Sequence, residues 1–313
     1  MSDYPLLPVL RLLRFPNLVV VALTQYLVYY RVMLPSFEVA GISGVLTPWK
    51  FVELVLATVA ITASGYLIND LQDEAIDEVN RPGTNPVALL GRDAVMWTYG
   101  MMLLGGFLVS QLLAYRLGER HLLWIFPLAI GVLSVYSSNV KKLPLLGNFL
   151  VAAFCAGVPG ILLLAERSAV TKLLELNPDL GFGVLKVCLL FMVYAFVLTM
   201  LRELVKDLED LAGDRMAGRR TIPVMIGQRN SRRLGVAVGL IAILALAVPY
   251  ANGWPGFLRP APVGLVVLLS AALVVLIIRL VRARTPKEYG RLSLGLKFFL
   301  LGGLGLLLLF QPV

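Results

Sequence analysis

An all-α, polytopic membrane fold, with about nine transmembrane helices in one bundle, is predicted by three features of this 313-residue sequence. Hydrophobic residues make up 58% of the chain and charged residues only 15%, against about 45–50% and about 25% in a soluble domain. The apolar residues arrive in blocks of the length a bilayer crossing needs, about 17–25 residues. The basic residues gather between those blocks. One soluble core of this length cannot hide such an apolar excess, so a bilayer is the expected solvent.

The predicted spans run over 17–34, 51–69, 94–114, 121–136, 146–164, 184–201, 234–250, 261–281 and 294–310. Pro127 and Pro159 fall inside two of them. Packed membrane helices tolerate such residues because neighbours re-satisfy the freed backbone groups. No Ser/Gly-rich linker separates the blocks, so residues 1–313 are expected to form a single domain. No small-residue cleavage site follows the first block, which argues against a cleaved leader. With the N-terminus in the cytoplasm, 20 of the 28 Lys and Arg residues fall on the inner face. That bias predicts a multi-pass protein of the inner or plasma membrane, with the C-terminus outside.

The net charge of +9 does not point to nucleic acid, because the basic residues are dispersed between spans and form no single basic face. Cys155 and Cys188 lie within apolar blocks and fit neither a disulfide framework nor a zinc spacing. His121, alone in a short polar connection, is a poor catalytic candidate.

Two charged segments carry the chemistry. The end of the second span contains Asn69, Asp70, Asp73 and Asp77; the end of the sixth contains Lys206, Asp207, Asp210 and Asp214. Both read D-x-x-D-x-x-x-D. On a helix this spacing gathers the three carboxylates within about 60° of one another, and Asn69, four residues before Asp73, joins that face. Like charges so placed cost about a few tenths of a kcal/mol per pair, so the pattern is poor helix decoration. A divalent cation reverses the sign: Mg2+ takes oxygen ligands and bridges carboxylates to phosphate oxygens. Two such faces pointing at each other would hold a diphosphate through metal ions, and carboxylates at a membrane edge are functional by default. If the leaving diphosphate is allylic, its departure creates a carbocation, and the lipid-like tail of such a substrate lies among apolar helices.

Around these motifs sit Arg14-Phe-Pro-Asn17 at the first span, Asn80-Arg81-Pro82 after the first motif, and a Tyr136-to-Asn148 connection containing Lys141 and Lys142. Lys141 is placed to contact diphosphate. Asn17 beside an apolar run needs hydrogen-bond partners, from substrate or from a helix end. Arg81, and Arg219 after the second motif, are either site caps or membrane anchors. The Gly302-Gly303-Leu-Gly305 run has no preceding strand and reads as close helix packing rather than a phosphate loop.

With these residues the sequence resembles the UbiA superfamily of intramembrane prenyltransferases. Asn69-Asp70-x-x-Asp73-x-x-x-Asp77 and Asp207-x-x-Asp210-x-x-x-Asp214 carry the resemblance, with the span count, Arg14-Phe-Pro-Asn17 and the Tyr136-to-Lys141 connection in agreement. It implies a nine-helix bundle with a central cavity open toward lipid, and Mg2+, or Mn2+, bound with a prenyl diphosphate at the six aspartates. The substrate-binding set it implies is Asn17, Asn69, Arg81, Tyr136, Lys141 and Lys206. The second motif looks most like that of digeranylgeranylglyceryl phosphate synthases, which favours a glycerol-phosphate-type acceptor, with an aromatic quinone precursor as the alternative. Many members carry Arg-Pro-x-Arg-Pro after the first motif; here Arg81-Pro82-Gly83-Thr84-Asn85-Pro86 lacks the second Arg. The competing class is a divalent-ion or small-molecule transporter, which would more often place its ionisable residues near the bilayer midplane.

Overall fold

The computed structural model describes residues 9, 10, 12–80, 86–138 and 145–311, without the side chains of 75–80, 86, 89 and 136–138. Among the described residues the regular structure is entirely helical. Helix α1 is Phe15–Val39, with a π-helical turn at Tyr29–Met33. It is followed by α2 (Pro48–Asn80), α3 (Pro86–Leu90), α4 (Arg92–Leu117), α5 (Leu122–Ser138) and α6 (Leu146–Ala165). Then come α7 (Arg167–Leu176), α8 (Pro178–Glu209), α9 (Leu211–Met216), α10 (Ile222–Ala251), α11 (Pro260–Arg282) and α12 (Pro286–Leu309).

Eight of these helices, α1, α2, α4, α6, α8, α10, α11 and α12, are long and apolar enough to cross a membrane. The fourth predicted span corresponds to α5, which is apolar but short. The cores of all nine predicted spans are therefore helices, as the apolar blocks require. The ends follow local chemistry. Pro48, Pro178, Pro260 and Pro286 each open a helix, where the missing N–H costs nothing. Asn177 caps α8 by accepting from the Leu180 amide at 3.2 Å, and Thr285 with Glu288 forms a capping box on α12.

Many large apolar side chains face outward, among them Leu128, Leu244, Leu268 and Phe298. A water-soluble surface would not carry them, whereas lipid tails do. Exposed Trp49, Trp97 and Trp124 sit near helix ends, where aromatic rings meet the headgroups.

The chain divides into two compact units. The first takes in Met1–Leu23, Leu46–Leu143 and Ala212–Gly218; the second takes in Thr24–Val45, Pro144–Leu211 and Arg219–Val313. In the first, α2 packs along α4. Gly106 makes this approach possible: a Cβ there would lie 2.9 Å from the Ile61 side chain and 3.2 Å from its backbone nitrogen. In the second, α8 is the central helix and packs on α6, α10 and α12. Gly235 and Gly239 of α10 leave room for Leu280 and Ile277 of α11, each of which would come within 2.7 Å of an added Cβ. Gly303 of α12 meets the Tyr194 ring of α8 in the same way. Small residues at helix contacts are the usual means of tight packing where lipid supplies no hydrophobic drive.

Candidate active site

The first motif sits near the polar end of α2, whose backbone stays helical through Asp77 to Asn80. Asp70 and Asp73 lie one turn apart and are 3% and 7% exposed. They are held there by an apolar cluster in which Leu67 and Leu71, neighbours of Asp70 in the sequence, pack against Leu12, Val87 and Val95. Leu12 ties the segment before α1 to this cluster and so brings Arg14 to α2. The Arg14 guanidinium ion-pairs with Asp70 and lies over the Tyr66 ring, 5.0 Å from its centroid. Asn69 is half-buried beside them. Arg92, at the start of α4, pairs with Glu74 at 2.9 Å on the exposed side.

The second motif departs from the expected single helix face. Helix α8 ends at Glu209, and Asp210 takes a non-helical φ of −92° and ψ of 9° while its N–H still donates to the Lys206 carbonyl at 2.9 Å. Asp214 therefore lies on the separate short helix α9. Acids near a helix end do not by themselves account for the break: α2 stays helical to Asn80 with Asp77 and Glu78 in its last turn and no basic residue there, whereas α8 ends at Glu209 with Lys206 in its last turn. Asp207 and Asp210 are half-buried, while Asp214 is 3% exposed. The segment carrying Asp214 groups with the first unit, the one that holds Asp70 and Asp73.

The Asp207 carboxylate accepts a hydrogen bond from the Asn148 side-chain amide at 2.7 Å. Asn148 is the third residue of α6. Arg14 and Leu145 are the two non-glycine residues with positive φ among the described residues, at 49° and 64°. Each stands immediately before the helix whose first turn presents the partner of a leading aspartate, or is itself that partner. Left-handed backbone is disfavoured by about 1–2 kcal/mol for an L residue, and such strain collects at functional sites.

Of the other expected site residues, Asn17 is half-buried in the first turn of α1, where its backbone N–H donates to the Arg14 carbonyl at 2.7 Å. Lys206 is half-buried on α8. Arg81 and Lys141 lie outside the described residues, as do the side chains of Asp77 and Tyr136. Two residues to which the sequence alone assigns no role stand beside the leading aspartates: Arg14 and Asn148. Asn148, like Asn17, is a polar amide opening an apolar span, and such an amide needs a hydrogen-bond partner.

Among the described residues, no three His, Cys, Asp or Glu side chains converge into a closed metal cage. The donors are carboxylate oxygens, two of them buried one turn apart on α2. That suits Mg2+, which is usually bound by one or two carboxylates together with phosphate oxygens and waters.

The helices define an integral, multi-pass membrane protein with carboxylates gathered near the ends of two long spans. The chain belongs to the UbiA prenyltransferase family, which matches residues 33–303, and it is accordingly a membrane prenyltransferase. Over 219 residues it is 30% identical to the digeranylgeranylglyceryl phosphate synthase of Thermococcus kodakarensis, covering 68% of this chain and 70% of that one. A UbiA homologue from Aeropyrum pernix has the same fold, with a TM-score of 0.62 at 15% identity, over 90% of this chain and 96% of that one. So does a UbiA homologue from Archaeoglobus fulgidus bound to GPP and Mg2+, with a TM-score of 0.54 at 14% identity, over 96% and 99% of the two chains.

Proposed function

We propose that the protein transfers a polyprenyl group from its diphosphate to the hydroxyl of a glycerol-phosphate-type lipid precursor. The observation that carries the acceptor is the similarity to the Thermococcus synthase across two thirds of both chains. The carboxylates carry the chemistry. Asp70, Asp73 and Asp77 with Asp207, Asp210 and Asp214 hold divalent metal, Mg2+ or Mn2+. Metal so bound supplies charge neutralisation for the diphosphate as its C–O bond breaks. Arg81, Lys141 and Lys206 offer cations to the same diphosphate, and Asn17, Asn69 and Tyr136 complete the substrate contacts. Asn148 fixes the orientation of Asp207. The allylic carbon then bonds to the acceptor oxygen, the hydroxyl proton is released, and diphosphate departs.

The chain works as one transferase domain with its N-terminus and both motifs at the cytoplasmic face, as the Lys and Arg bias supports. The test is transfer of label from radiolabelled geranylgeranyl diphosphate in native membranes, with pooled acceptors, with and without EDTA. The expected result is an EDTA-sensitive ether lipid. A labelled aromatic product would reassign the acceptor. No transfer by folded protein to any acceptor would overturn the proposal.

A further inference from the structure

The Asp70 side chain is 5% exposed and its partner Arg14 is 31% exposed. A carboxylate buried that far needs a cation or a full set of hydrogen bonds. Arg14 supplies the cation, and the Tyr66 ring beneath the guanidinium, 5.0 Å away, favours holding a partly desolvated positive charge there. Tyr66 and Asp70 are one turn apart on α2, so one helix face grips both ends of the interaction. The backbone of Arg14 is left-handed, with φ of 49°, and the preceding Leu12 is anchored in the apolar cluster below the motif. The chain thus accepts local strain and spends an anchor to bring a positive charge onto the first aspartate of the motif.

We propose that Arg14 is the built-in counter-cation of Asp70 and makes metal binding depend on diphosphate. This rests on the metal-dependent function proposed above. A guanidinium and a divalent cation addressing one carboxylate repel each other, by enough at a few ångströms to weaken metal binding about tenfold even under the screening of a partly exposed site. A diphosphate brings negative charge that offsets the repulsion and gives Arg14 a second anion to face. Metal therefore binds well with diphosphate and poorly before it. Arg14 acts through Asp70 as a positioning residue.

The test is equilibrium dialysis of Mn2+ against the full-length protein in detergent, with and without inorganic pyrophosphate on both sides. The wild type is compared with Arg14→Gln and Arg14→Lys. Without pyrophosphate, Arg14→Gln is expected to bind Mn2+ about tenfold more tightly than the wild type, and Arg14→Lys about equally to it. With pyrophosphate, the difference between Arg14→Gln and wild type shrinks toward none. Unchanged or weaker Mn2+ binding by folded Arg14→Gln overturns the proposal. If that variant does not fold, Tyr66→Leu carries the test: loosening the grip on Arg14 gives a smaller tightening, and its absence counts against the proposal. A wild type that takes up no Mn2+ even with pyrophosphate instead overturns the metal-dependent function itself.

Discussion

The two aspartate motifs share one spacing and differ in almost everything that positions them. The first rides a continuous helix, with Asp70 and Asp73 buried and the leading aspartate met by a charged guanidinium. The second straddles a helix end, with Asp207 and Asp210 half-buried and the leading aspartate met by a neutral amide. A cation beside a carboxylate offsets its charge, while an amide orients the carboxylate and leaves that charge in place. If both motifs hold metal as proposed, the affinity of the first should respond to its neighbour's charge and that of the second to its neighbour's geometry.

The widest effects come from removing the leading aspartates. Asp70→Ala and Asp207→Ala are each expected to lower transfer by about 10^3-fold, since on the proposed function each takes away a group that holds metal for charge stabilisation as the C–O bond breaks. Both variants should still insert and fold, as judged by size-exclusion profile and thermal unfolding in detergent. Near-normal transfer by either variant would break the equivalence of the two motifs and remove that motif from the chemistry.

Next is the partner of the second motif. Asn148→Ala leaves Asp207 charged but less well oriented, so a loss of about tenfold in kcat/KM is expected, in line with the loss of one support to a metal ligand. Asn148→Asp sets a like charge against Asp207 and should be worse. The measurement that separates the two motifs is Mn2+ affinity without diphosphate. Asn148→Ala should weaken it, whereas Arg14→Gln should strengthen it. The same sign in both variants would collapse the distinction drawn above.

The sequence made the spans and the existence of the motifs legible, because both depend on residues close together in the chain. Apolar blocks long enough to cross a bilayer had one solution, and α2 continues as a helix through its motif. The partners of the leading aspartates were not legible: Arg14 lies 56 residues from Asp70, and Asn148 lies 59 from Asp207. Their pairing is decided by helix packing, which periodicity does not encode. The break at Asp210 was not legible either: the two motifs share one spacing and both helices end among acids, yet α8 stops at Glu209 while α2 runs on to Asn80. The short amphipathic helix α7 was not legible as a span, because its ten residues fall short of a bilayer crossing.

A buried carboxylate outside both motifs tests whether burial alone marks a functional acid. Glu166 is fully buried just after α6, at the far end of that helix from Asn148. It accepts from the Val45 amide at 2.7 Å and from the Tyr29 hydroxyl in the π-helical turn. Its task is to hold the connection after α1. Glu166→Ala leaves those two donors without it, at about 1–3 kcal/mol each. The thermal midpoint in detergent should fall while transfer per folded molecule is unchanged. A loss of transfer at full stability would place an acid outside both motifs in the chemistry and end the two-motif account.

The smallest effect concerns the glycine run of α12, which could be mistaken for a phosphate site. An added Cβ at Gly303 would sit 3.2 Å from the Tyr194 ring, and one at Gly302 would sit 3.2 Å from Leu269. These are helix contacts within the second unit, with α8 and α11. Gly303→Val overfills that contact and should cost about 1–3 kcal/mol of stability, read as a lower midpoint in the same thermal assay. The KM for prenyl diphosphate should stay at the wild-type value. A raised KM with no loss of stability would mean that the run binds phosphate, and diphosphate handling would no longer be confined to the two aspartate motifs.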